Sequence, residues 1–299
     1  MADPAQTGTP ETFLLHEGRR ALPMAALSFG DPSRPVDIIW SHANGLNAAT
    51  YRHVLAPLSP HLRILAVDQR GHGGTPQNCD IANKRDAYDL RDDLLALLEI
   101  VADRRPVVLA GHSIGGCVSL LAAAEAPHRV NGLALFDPVI MAQAAEAALI
   151  QAGGRVVPDS PLAAGARKRR REYPSRDAVM ASYRGRAIFT NWPDAALEGY
   201  VAAGFRDRPD GGVELSCAPE WEAAIFSAHG HDTWEAMARI EAPIRILRAE
   251  HGSTCAVSLA ADFPRPAGQV EVTTVLDANH FLPIERPELV HEVLLAMAG

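Results

Sequence analysis

Pro106-Val107-Val108-Leu109-Ala110-Gly111-His112-Ser113-Ile114-Gly115-Gly116 is the stretch that decides the fold. Val107 to Ala110 is an apolar run of strand length, and it drives into Gly111-His112-Ser113-Ile114-Gly115 and then into an Ala-rich helical segment, Cys117 to Ala126. The pattern is strand, tight turn, helix, with a serine at the apex. A serine on so sharp a turn sits in a strained backbone, and side chains two residues to either side would collide with the adjoining strand and helix. Gly111 and Gly115 remove those side chains. The hydroxyl then projects at the positive end of a helix, where backbone N–H groups can meet a developing oxyanion.

Working outward, strand and helix signals alternate on both sides of this turn. Phe13 to Leu15 and Ala25 to Phe29, separated by Gly18-Arg19-Arg20, predict an edge hairpin. Val36 to Trp40 reads as a buried strand ending in Ser41-His42-Ala43-Asn44-Gly45, ahead of a helix around Tyr51 to Leu58. Leu62 to Val67 is the next strand and ends in Asp68-Gln69-Arg70-Gly71-His72-Gly73-Gly74, and Asp86 to Val101 has helical spacing. Val130 to Phe136 is a strand ending in Asp137-Pro138. From about Met141 to Met237 the alternation breaks into helical segments, with a Gly153-Gly154 break, a basic run from Arg167 to Arg171, many aromatics and no buried strand. It resumes with Pro243 to Arg248, a helix over Ala256 to Phe263, Val270 to Leu276 and a closing helix, Pro287 to Met297.

The expected fold class is α/β, a mostly parallel doubly wound sheet with an inserted helical cap. The core comprises residues 1–140 and 236–299, and the cap residues 141–235. Such an insertion sits over the carboxyl ends of the strands, where open α/β sheets bind ligands.

Composition narrows the function. A chain of 299 residues with 47% hydrophobic and 21% charged residues suits a globular protein, and a net charge of −8 argues against nucleic acid or an anionic membrane as partner. Met1 to Glu11 is polar, without the basic and apolar regions of a secretory signal, and no apolar run is long enough to span a bilayer. Cys79, Cys117, Cys217 and Cys255 lack metal-ligand spacing and read as free packing thiols in a reducing cytoplasm. No phosphate-binding loop or dinucleotide fingerprint is present, so neither metal nor cofactor is expected and the partner is a small-molecule substrate. Oligomeric state is left open.

The chain resembles the α/β-hydrolase family, on four features in the family's order. They are Ser41 to Gly45 (SHANG), Asp68 to Gly74 (DQRGHGG), Gly111 to Gly116 (GHSIGG) and Asp277 to Glu288 (DANHFLPIERPE). The resemblance implies Ser113 as nucleophile and His280 as the base that takes its proton and returns it to the leaving group. It implies an oxyanion hole made by the N–H groups of Ile114 and Asn44, although the family more often has His-Gly where this chain has His42-Ala43.

The chain departs from the family in its acid. The usual aspartate follows the strand at Ile244 to Arg248, and here Gly252 stands in its place. Asp137, at the end of the preceding strand, is the preferred substitute, with Glu250 as the alternative. His112 fills the variable position beside the nucleophile, His42 and His72 lie in loops that resemble structural parts of the family, and His229 and His231 are read as a solvated turn. Phe189, Trp192 and Phe226 are candidates to line an apolar pocket, whereas the basic run from Arg167 to Arg171 reads mainly as a solvated face.

The expected activity is that of a cytoplasmic serine hydrolase, an esterase cleaving a small, largely apolar ester or lactone through an acyl-enzyme. The same triad would also serve a C–C bond hydrolase or an acyltransferase. A non-catalytic ligand-binding protein on a hydrolase scaffold is the alternative from another class.

Overall fold

The computed structural model describes residues 8–17, 20–75, 81, 87–102, 105–153, 160–227, 231–258, 260–263 and 269–299. Gly18, Arg19, Cys79, Asp86, Gly154 and His229 lie outside the described residues. In chain order, β1 (Thr9–Glu17) and β2 (Arg20–Phe29) are followed by β3 (Ile38–Ser41), α1 (Arg52–Leu55), β4 (Ile64–Val67) and α2 (Tyr88–Val101). Next come β5 (Val107–His112), α3 (Ile114–Glu125) and β6 (Val130–Phe136).

The long insertion carries α4 (Gln143–Gln151), α5 (Pro161–Arg167), β7 (Glu172–Tyr173), α6 (Arg176–Tyr183) and α7 (Asp194–Gly204). It continues with β8 (Phe205–Asp207), β9 (Val213–Leu215), α8 (Pro219–Phe226) and α9 (Thr233–Arg239). The chain closes with β10 (Ile244–His251), β11 (Val270–Asn279), α10 (Leu282–Glu285) and α11 (Pro287–Ala298).

The main sheet has the order β1-β2-β4-β3-β5-β6-β10-β11, antiparallel in its first two pairings and parallel from β4 onward. The central strands are wholly buried, as a parallel sheet covered on both faces requires. Successive side chains point to opposite faces. Val107 and Leu109 of β5 therefore join an apolar layer with Leu94, Leu97 and Leu98 of α2, while Val108 and Ala110 join another with Val54, Leu55, Val290 and Leu294 of α1 and α11.

The insertion shares both layers. Trp221, Ile225 and Met237 pack into the first, and Leu197, Tyr200 and Phe205 into the second. The expected boundary at residue 236 falls inside α9. Where no buried strand was expected, β7, β9 and β8 form a small antiparallel sheet whose Tyr173, Phe205, Val213 and Leu215 are buried. Strands of two or three residues are too short to show an alternating pattern. Over Ala256 to Phe263 no α-helix forms among the described residues. Cys255 instead bridges to Ile140, and a single 3₁₀ turn follows at Ala260–Asp262.

Candidate active site

Ser113 is held at φ 58° and ψ −124°, in the left-handed half of backbone space, between the end of β5 and the first turn of α3. Such a conformation persists only where the surroundings over-determine it. Here the Ser113 N–H donates to Phe136 O at 3.1 Å, and its carbonyl accepts from Val139 N at 3.1 Å. A Cβ at Gly111 would run into the Gly115 backbone, and one at Gly115 into Ser41 O, so both elbow glycines are sterically required. The Ser113 hydroxyl makes no hydrogen bond to a described residue. Catalytic hydrogen bonds are often long or misaligned before substrate binds.

Asp137 and His280 meet. The His280 ring follows the end of β11, and its Nδ1 lies 2.6 Å from Asp137 Oδ2. The carboxylate is fully buried at the end of β6 and accepts from Ala249 N (2.8 Å), Ser253 Oγ (2.5 Å) and Thr254 N (3.0 Å). Burial alone would raise its pKa, but the His280 hydrogen bond and charge, with the Ser253 hydroxyl and Ala249 N–H, hold it below the usual value. The contact fixes the tautomer of His280 when neutral. With the Nδ1 proton shared with Asp137, Nε2 is the nitrogen left to accept one.

Glu250, the alternative acid, is engaged elsewhere. It is exposed, accepts the Asp277 N–H at 2.8 Å, and pairs with His251 at 3.6 Å.

The oxyanion candidates also come to one edge of the sheet. Ile114 is the first residue of α3, where an N–H has no intrahelical acceptor. In the loop after β3, Ala43 N donates to the Tyr51 hydroxyl at 3.2 Å and Gly45 N to His72 Nε2 at 3.1 Å. Asn44 N–H, between them, donates to no described residue.

Buried neutral histidines hold this loop. Gln69 N donates to His42 Nε2 at 3.0 Å, so His42 Nδ1 carries the proton toward Ala43 O at 2.8 Å. Burial pushes the pKa of His42 well below its ordinary value and that of His72 down to about 4.

The insertion braces the loop from above. Asn44 Nδ2 donates to Glu222 O at 2.9 Å, and the Glu222 carboxylate is paired with Arg169, which also donates to the Tyr200 hydroxyl. The basic run is thus divided, with Arg169 largely buried while Arg171 is paired with Glu220 in solvent.

Trp192 meets Phe281, the neighbour of His280, with ring centroids 5.5 Å apart, and Phe189 packs edge-on to Trp192 at 4.9 Å. Phe226 packs elsewhere, in a separate cluster with Ala163, Ala166 and Ala223. A cleft of about 260 Å³ opens beside His280, with Ile188, Thr190, Asn191, Asn279 and Phe281 among its walls. His231 is buried rather than solvated. Cys117, Cys217 and Cys255 are buried thiols that form no disulfide among the described residues, and burial pushes Cys255 up to about 12. Among the described residues no helix is long and apolar enough to cross a membrane.

A profile of the alpha/beta hydrolase family matches residues 38–293. The chain belongs to the alpha/beta hydrolase family. This hydrolase is 26% identical over 256 residues to the 2-(acetamidomethylene)succinate hydrolase of Mesorhizobium japonicum, covering 84% of each protein. Among solved structures, an E-2-(acetamidomethylene)succinate hydrolase superposes with a TM-score of 0.70 at 23% identity, covering 97% of this chain and 99% of that one. A shorter match, 29% over 114 residues, covers 38% of this chain and 41% of the pimeloyl-[acyl-carrier protein] methyl ester esterase of Nitrosomonas europaea.

Sequence reasoning missed three parts of the site. It did not find the Tyr51 and His112 contacts, the Arg169–Glu222 brace, or the donors that Ser253 and Thr254 give to Asp137. Only the last had a local signal, a Ser-Thr pair directly after Gly252.

Proposed function

We propose that this alpha/beta hydrolase is a serine hydrolase that cleaves a small carboxylic ester or lactone through an acyl-enzyme. Ser113 Oγ attacks the carbonyl carbon while His280 Nε2 takes the hydroxyl proton, and Asp137 stabilises the imidazolium. The oxyanion is received by the N–H groups of Asn44 and Ile114. As the tetrahedral intermediate collapses, His280 returns the proton to the leaving oxygen, and a water deprotonated by the same ring then hydrolyses the acyl-enzyme. The observation that carries this reading is the Asp137–His280 hydrogen bond of 2.6 Å, made by a carboxylate with no exposure and three other donors. Buried thiols that form no disulfide among the described residues support a reducing, cytoplasmic setting.

A second reading, hydrolysis of an amide, is favoured by the Mesorhizobium relative, 26% identical over 256 residues and named for a substrate carrying an acetamido group.

The test is turnover of p-nitrophenyl acetate, butyrate and octanoate by the wild type and by Ser113→Ala. The expected result is a loss of about a thousandfold or more in kcat for the variant. Equal rates in the two proteins would favour a ligand-binding module instead.

A further inference from the structure

We propose that Tyr51 and His112 are positioning residues for the catalytic base, forming a directed relay of hydrogen bonds that ties the oxyanion loop and the nucleophile elbow to the His280 loop. The proposal rests on the serine-hydrolase reading above. The relay runs one way. Ala43 N–H donates to the Tyr51 oxygen at 3.2 Å, and the Tyr51 hydroxyl donates to His112 Nδ1 at 2.7 Å. With Nδ1 accepting, the ring proton of His112 sits on Nε2, and it is donated to the carbonyl oxygen of His280 at 2.7 Å. Each group in the chain is used once and in one sense, which only a neutral imidazole permits. Burial of the ring pushes the His112 pKa down to about 3 and keeps that form.

The three joined segments come from three different strand ends, those of β3, β5 and β11. Ala43 precedes Asn44, His112 precedes Ser113, and the last acceptor is the backbone of the base itself. Both side chains are fully buried, where an unsatisfied hydroxyl or imidazole would be costly, so a packing role alone would be filled more cheaply by apolar residues. The rings also meet along the same path, tilted or edge-on rather than stacked. Tyr51 lies 5.1 Å from Trp40 and 6.0 Å from His112, and His112 lies 4.8 Å from His280. A fully satisfied buried network of this kind specifies one arrangement of its members. Displacement of a catalytic group by about 1 Å can cost about a hundredfold in rate.

The experiment compares kcat and KM for p-nitrophenyl acetate in the wild type, Tyr51→Phe, His112→Leu, His112→Gln and the Tyr51→Phe/His112→Leu double variant. In parallel it measures fluorophosphonate labelling of Ser113 in each. Tyr51→Phe keeps the ring and deletes only the hydroxyl.

Tyr51→Phe and His112→Leu should each lower kcat about ten- to hundredfold, with KM within about threefold. His112→Gln, which can both accept and donate, should recover most of the loss, and the double variant should be no slower than His112→Leu. Unchanged kcat in Tyr51→Phe, equal losses in His112→Gln and His112→Leu, or multiplying effects in the double variant would each overturn the relay. If His112→Leu does not fold, Tyr51→Phe and His112→Gln decide the question. A wild type that neither turns over nor labels would instead sink the serine-hydrolase reading, and the relay with it.

Discussion

β6 and β10 pair in parallel, and each runs out at the same edge of the sheet into an acid, yet the two acids have opposite surroundings. Asp137 ends β6 in a closed nest of donors from Ala249, Ser253 and Thr254 and faces His280. Glu250 lies near the exposed end of β10, where it accepts the Asp277 N–H and pairs with His251. A carboxylate orients a histidine when the fold pays its desolvation with donors, and proximity along the chain to the usual position counts for less. The basic run repeats the contrast, because Arg169 is buried on Glu222 and Tyr200 while Arg171 meets Glu220 in water.

The sharpest attempt to break this comparison is Asp137→Asn set beside Glu250→Gln. In the proposed mechanism the first removes the partner that orients and stabilises the imidazolium, and it is expected to lower kcat by about 10⁴. The reverse ranking, measured as kcat on a p-nitrophenyl ester, would reassign the acid.

Arg169→Leu, the next largest, strands the Glu222 carboxylate in the interior and is expected to cost about 3 to 5 kcal/mol in chemical denaturation. Arg171→Leu, on the exposed side of the same run, should change stability by no more than about 0.5 kcal/mol. Equal losses would mean that burial does not divide the run.

The buried histidines extend the contrast to pH. His42, His72 and His112 have folded pKa values depressed by burial, those of His72 and His112 to about 4 and about 3. The unfolded chain therefore takes up protons below about 6.5 that the native state refuses. Their contribution to stability is intact above that pH and falls as pH drops from about 6.5 toward 4. Asp68 opposes them, since burial raises it to about 6 and its contribution is lost as pH rises through that value. The net expectation is a loss of roughly 1 to 3 kcal/mol per pH unit of acidification in this window, measured by denaturant titration. A flat profile would contradict the neutral tautomers. The smallest effect belongs to Glu250→Gln, with kcat expected within about twofold of wild type.

The turn at Ser113 was legible because its physics is local. Gly111 is demanded by overlap within the motif, against the Gly115 backbone, and the buried strands β3 to β5 announce themselves as apolar runs, whereas Gly115 makes room for the Ser41 carbonyl at the end of β3. Asp137 was legible as the end of a strand, but its claim over Glu250 was not, because its donors arrive from a loop more than a hundred residues later. In that loop Gly252 is followed by Ser253 and Thr254, and both donate to the Asp137 carboxylate.

The insertion was least legible. Its short strands carry no period, its aromatics separate into different clusters, and the burial of Arg169 inside a charged run depends on Glu222 and Tyr200, far away in sequence. His112 was hidden for a similar reason. No local pattern marks the residue before Ser113, and it is the fold that brings Tyr51 and the His280 carbonyl to the two nitrogens of His112.

The most direct measurement is peptide mass spectrometry after treating the folded protein with a fluorophosphonate. The account predicts a single adduct on Ser113, formed slowly in Asp137→Asn and at the wild-type rate in Glu250→Gln. An unmodified Ser113, or an adduct carried by another residue, would contradict it.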